Sequence, residues 1–142
     1  MKILFHKTAA TDFAEKLQET IASIATDQPV CVTKDTVSFL KALLKYRIDN
    51  PIVVIQLNDT ADAIEIESLS DILDGLFLII ATDGIDERLL MRCRKFYPRL
   101  LTYHKEDLSV IVAVIRKRME TNDGGDNDEV DLWYQGLASE RN

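Results

Sequence analysis

Glycine and proline are scarce in this chain of 142 residues, at five and three copies. Fibrous repeats and wholly disordered chains use far more of both, so neither applies. Cysteine occurs twice, at Cys31 and Cys93, each inside an apolar run and not at a paired spacing. That argues against a disulfide framework and for reduced, buried thiols in a reducing compartment. No hydrophobic run reaches the length of a membrane span, and the opening MKILFHK is too short an apolar stretch for a secretory leader. A cytoplasmic location without membrane contact is the expectation. Positive charge is in deficit too, with 17 Lys and Arg against 24 Asp and Glu for a net −7, which argues against direct wrapping of nucleic acid.

What is present is one domain's worth of apolar sequence, 46% of residues, enough for a single core at this length. The negative charge is unevenly placed. From residue 120 onward Glu120, Asp123, Asp126, Asp128, Glu129, Asp131 and Glu140 face only Arg141, a net −6 that leaves the body nearly neutral.

Hydrophobic periodicity alternates short β-branched runs with longer helical patterns. Ile3–Phe5 reads as a buried strand, and Phe13, Leu17, Ile21 and Ile24 mark one face of a helix over 11–25. Val30–Val32 is a second strand. Asp35 can cap a helix running to about Arg47, with Val37, Leu40 and Leu44 expected inward. Ile52–Ile55 is apolar on both faces, as a central parallel strand requires. Residues 60–74 read as a short helix, with Asp74-Gly75 as its exit. Leu76–Ala81 is a fourth strand, and Asp86 opens a helix through about Tyr97 that Pro98 closes. Leu100–Tyr103 is a fifth strand, followed by a helix carrying Leu108, Ile111, Val112, Ile115 and Met119. Asn122-Asp123-Gly124-Gly125 breaks that pattern, so the domain is expected over 1–121 and an acidic tail over 122–142.

Five strands alternating with helices imply an α/β fold, a parallel sheet covered on both faces through right-handed crossovers. The commonest five-strand order is the flavodoxin-like 2-1-3-4-5, in which chemistry gathers at the carboxyl ends of the strands. The segments that matter are therefore 6–11, 56–60, 82–86 and 104–106.

In element order and length, residues 1–121 resemble the receiver domain of two-component response regulators. The resemblance implies an acidic pair after the first strand that holds a divalent metal, a phospho-accepting Asp at the end of the third, a Thr or Ser after the fourth, and a Lys after the fifth. Here the acidic pair falls on His6 and Lys7, which lack the hard oxygens Mg²⁺ requires. The acceptor position falls on Gln56, whose amide is no phosphoryl acceptor. Asp59 stands three residues on, where it reads first as a turn or helix cap and would need a slipped or longer strand to serve as acceptor. Thr82 matches the switch hydroxyl. Lys105 matches the lysine, without the proline that normally follows it. The pattern is that of a degenerate, pseudo-receiver-like domain, with no cofactor, no metal and no catalytic residue expected.

An alternative occupant of the same fold is a flavodoxin-like protein or enzyme that binds an anionic ligand in the loop after the first strand. That loop offers Lys7, Thr8 and Thr11 but no glycine. A His6–His104 pair is discounted, because the third and fourth strands intervene in this sheet order.

Charge supplies the remaining signal. No Lys or Arg lies between Arg47 and Arg88, while ten carboxylates do. Arg88, Arg92, Lys95 and Arg99 then follow at helical spacing, offset by one from Leu89, Cys93 and Phe96, and are expected to form an exposed basic stripe. Arg116, Lys117 and Arg118 are expected to end the last helix at its negative pole. In the receiver family the face of the fourth helix, fifth strand and fifth helix binds partners or a second copy. The resemblance therefore implies a protein partner, or a homodimer, at the basic stripe. The tail adds Val130, Leu132, Trp133 and Tyr134 among acids, a pattern suited to docking on a partner, or onto the stripe of the same or a second copy. A solvated helix face and a solubilising tail are the plainer readings of the same residues.

Overall fold

The computed structural model describes residues 2–25, 29–103 and 108–124, with side chains through Glu120. Strand β1 (Ile3–Lys7) leads into helix α1 (Asp12–Ile24), strand β2 (Cys31–Thr33) into α2 (Thr36–Tyr46), and α2 continues through a 3₁₀ turn at Arg47–Asp49. Then come β3 (Ile52–Leu57), α3 (Thr60–Glu67), α4 (Ser70–Leu73), β4 (Phe77–Thr82), α5 (Glu87–Arg94), β5 (Leu100–Thr102) and α6 (Leu108–Gly124). The strands form one parallel sheet in the order β2-β1-β3-β4-β5, the expected flavodoxin-like arrangement.

Period-two alternation along the strands divides the core into two halves. Ile3, Phe5, Ile52, Val54, Phe77 and Ile79 pack under α1 and α6, against Phe13, Leu17, Ile21, Ile111, Val114 and Ile115. Leu4, Val53, Ile55, Leu57, Leu78 and Ile80 pack under α2, α3, α4 and α5, against Phe39, Leu43, Ile66, Leu73, Leu89 and Cys93. A strand buried on both faces must be apolar at every position, which is why β3 reads as an uninterrupted run until Gln56. Four helices begin at side-chain caps: Thr11 accepts from Ala14 N, Asp35 from Ser38 N, Asp59 from Asp62 N, and Asp86 from Arg88 N and Leu89 N. Each oxygen satisfies an amide that has no partner inside its helix.

Four expectations need correction. In α2 the inward residues are Phe39, Ala42 and Leu43, while Val37 and Leu44 point to solvent and Leu40 is half-buried. Both stripes have helical spacing, and the larger Phe39 takes the core. Residues 60–74 form two helices, with the break at Ser68-Leu69, where Ser68 N donates back to Glu65 O at 3.4 Å. Helix α5 ends at Arg94, three residues before the expected Tyr97, which adopts φ 51° ahead of Pro98. Helix α6 runs on to Gly124, so Arg116–Arg118 lie within it and not at its end. The Arg118 guanidinium sits 4.9 Å from the Phe77 ring centre.

Among the described residues no helix is long and apolar enough to cross a membrane. Cys31 and Cys93 are both free thiols, Cys93 buried and Cys31 half-buried, and burial pushes the Cys93 thiol up to about 12.

Candidate functional site

The carboxyl ends of β1, β3 and β4 are adjacent, with Lys7 opposite Gln56 and Gln56 opposite Ala81 in the sheet register. The sheet thus brings four of the expected residues, His6, Lys7, Gln56 and Thr82, to one end of the molecule, all buried. Their side chains do not converge on a common point.

His6 points toward α2. Its ring stacks on Phe39 with centroids 4.4 Å apart, and Nδ1 lies 2.8 Å from the Thr33 hydroxyl. Burial lowers its pKa to about 4, with Asp35 and Asp62 opposing, so the imidazole is neutral near neutral pH. Lys7, on the opposite face of β1, donates to Glu15 of α1 at 2.7 Å, and this bond holds the Glu15 carboxyl below its ordinary range. Lys7 is consequently a strut between β1 and α1.

Gln56 occupies the centre and is 0% exposed. Its Oε1 accepts from Thr8 N at 2.9 Å and Ala9 N at 3.4 Å, and its Nε2 donates to Asp83 Oδ1 at 2.6 Å. Donors on one side and a carboxylate on the other fix which way the amide faces. One side chain thereby joins the loop after β1 to the loop after β4. A second hub is Asp62, whose Oδ2 accepts from the Thr8 hydroxyl at 2.7 Å, Asn58 N at 3.0 Å and Asp59 N at 3.3 Å. It joins the loop after β1 to the start of α3. Sequence reasoning missed Asp62 and Asp83 as site residues. The Asp59-x-x-Asp62 spacing of a capping box was the available signal for the first, and nothing in the sequence pointed to the second.

Asp59 is the N-cap of α3, its carboxylate accepting from Asp62 N at 2.9 Å. The Thr82 hydroxyl donates to Gly84 O at 2.9 Å, within its own loop. Thr11, named with Lys7 and Thr8 as an anion site, caps α1 at 3.1 Å. The amides of Thr8 and Ala9, which would otherwise be free to cradle an anion, donate to Gln56. Among the described residues no group of three or more His, Cys, Asp or Glu side chains could hold a metal ion. Lys105 and His104 lie outside the described residues, as do Leu132, Trp133 and Tyr134.

The basic stripe is only partly assembled. Between α3 and α5 lies an open groove of about 360 Å³ lined by Thr60, Arg88, Met91, Arg92 and Lys95. Arg88 and Lys95 are exposed, and Arg92 is half-buried and bonds Glu67 at 2.8 Å. Arg99 does not belong with them: its guanidinium sits 5.4 Å from the Phe77 ring centre, toward the α1/α6 side.

No family model matches the chain, and no curated protein matches it. Among solved structures it is similar to a protein from Burkholderia pseudomallei provisionally assigned to pilus assembly. The TM-score is 0.51 at 19% sequence identity, covering 80% of this chain and 87% of that one. At that identity the likeness is one of fold.

Proposed function

We propose that the chain is a receiver-like interaction domain that recognises a protein partner without phosphoryl transfer. The observation that carries this reading is the Gln56 latch. The position where a receiver places its acceptor holds a buried amide whose carbonyl takes up the Thr8 and Ala9 N–H groups and whose amino group takes up Asp83. An amide is a poor nucleophile, and this one is held on both sides, its carbonyl by the Thr8 and Ala9 N–H groups and its amino group by Asp83. The site then serves as a fixed clasp that holds the loops after β1 and β4 together.

The groove at Thr60, Arg88, Met91, Arg92 and Lys95 supports a recognition role. It combines cations with an exposed methionine, 61% accessible, a pairing suited to an acidic segment carrying an apolar anchor. The similar fold of the pilus assembly-related protein makes that cellular setting the first in which to look for the partner.

Two measurements test the reading. Incubation with Mg²⁺ and a small acyl phosphate should leave the intact mass unchanged, and a phosphoryl adduct that Asp59→Ala removes would overturn it. Affinity capture with the wild type and with Arg88→Glu, Arg92→Glu and Lys95→Glu combined should show a partner that only the wild type retains. A partner held equally by both places recognition elsewhere.

A further inference from the structure

Helix α2 carries apolar residues on two opposite faces. Phe39, Ala42 and Leu43 face the sheet, while Val37 and Leu44 of the helix and Ile48 of the 3₁₀ turn after it are 63%, 57% and 93% exposed, with Leu40 half-buried and packed against the core. Counted with the half-buried Leu40, the set recurs at spacings of three, four and four, the pattern of a buried helix face. The exposed cations Lys41, Lys45 and Arg47 are carried by the same helix and the turn that follows it. Of the nearby acids, Asp35 is engaged by Ser38, Glu65 of α3 accepts from the Thr36 hydroxyl at 3.2 Å, and Asp49 shares the 3₁₀ turn with Arg47 and Ile48.

We propose that the segment 126–134 of this same chain, DNDEVDLWY, docks on the outward stripe of α2. Its chemistry is the complement of the stripe: Val130, Leu132, Trp133 and Tyr134 supply apolar anchors, and Asp126, Asp128, Glu129 and Asp131 meet the lysines and arginine. A second copy of α2 would set those cations against one another, which disfavours a helix pair between two copies. The groove at α5 is a poorer seat, because Arg92 is already paired and Asp86 and Glu87 flank its start. The topology also places the two parts within reach. In a parallel sheet α2 and α6 both run back toward the amino ends of the strands, so Ile48 and Gly124 lie at the same end of the molecule on opposite faces. Nine extended residues from Gly124 to Trp133 span up to ~30 Å, and two helical layers either side of a sheet are separated by roughly 20 Å.

Trp133 is the only tryptophan of the chain, so its fluorescence reports on this contact alone. The full chain at low ionic strength should emit to the blue of a free peptide 123–137 and resist acrylamide quenching. Leu44→Ser with Ile48→Ser, at exposed positions that leave the melting profile unchanged, should return emission and quenching to those of the peptide. Lys41→Glu with Lys45→Glu should do the same through charge alone. Peptide-like emission from the wild type would overturn the proposal, as would blue emission that survives both α2 variants. It would equally fall if Arg88→Glu, Arg92→Glu and Lys95→Glu released Trp133, or if the emission shifted with protein concentration, which would indicate docking between copies.

Discussion

Replacing Gln56 by Leu removes the latch while keeping much of its volume. Three hydrogen bonds are lost at a fully buried position: two from the Thr8 and Ala9 amides and one, at 2.6 Å, to the Asp83 carboxylate. Neutral bonds contribute about 1 kcal/mol each and a bond to a charged group ~1.5–3 kcal/mol. Thr8, Ala9 and Asp83 are only half-buried, so water recovers part of the loss. The expected cost is therefore ~2–3 kcal/mol, or a fall in melting temperature of about 10 °C for a domain of this size. The assay is urea denaturation of wild type and variant, paired with hydrogen exchange at the Thr8 and Ala9 amides, which should speed up in the variant beyond the change in global stability. Gln56→Glu gives an independent check on sign. A second carboxylate beside Asp83 raises the pKa of the new group above its unfolded value, so the variant should be most stable at acid pH and lose stability as pH rises. A cost below about 0.5 kcal/mol for Gln56→Leu, with unchanged exchange at Thr8 and Ala9, would refute the claim that this side chain holds the loops.

The His6 imidazole has its pKa lowered from 6.5 to about 4 by burial, so its neutral form stabilises the fold above pH 6.5 and that contribution is lost as pH falls toward 4. The loss amounts to roughly 3 kcal/mol, and His6→Phe should flatten the stability profile across that window in denaturant titrations. Reversing Arg88, Arg92 and Lys95 should change the melting temperature little, since the Arg92–Glu67 pair is a partly exposed one worth ~0.2–1 kcal/mol. A large drop would show that the stripe is structural. Thiol reagents should modify Cys31 in the native protein and spare Cys93, which is buried with its thiol held at about 12, and mass spectrometry after a timed quench resolves the order.

The helix starts were legible because caps are local. Asp35 and Asp86 stand at the amino ends of their apolar patterns, and their oxygens need only an amide two or three residues away. The strands were legible because alternation and β-branching follow from the pleat. The face of α2 was not, because Val37-Leu40-Leu44 and Phe39-Leu43 both repeat at helical spacing, and only packing against Leu4, Val53 and Ile55 of the sheet selects the second set. The site was half legible. That His6 and Gln56 stand at the carboxyl ends of β1 and β3 could be read from position, but what they bond could not, since Gln56 acts on partners 27 and 48 residues away.

By itself, then, the sequence determined what depends on neighbours along the chain: the alternation of strands and helices, their caps, and the parallel sheet they imply. The tertiary structure alone decided what depends on neighbours in space. It turned Gln56, Asp62 and Asp83 into one clasp, sent Arg99 to the opposite side of the sheet from Arg88, and left the second apolar face of α2 pointing outward. The physical reason is range: a cap or a pleat is satisfied within a few residues, whereas the burial of one stripe and the pairing of one amide are settled by which distant segments the sheet order brings together.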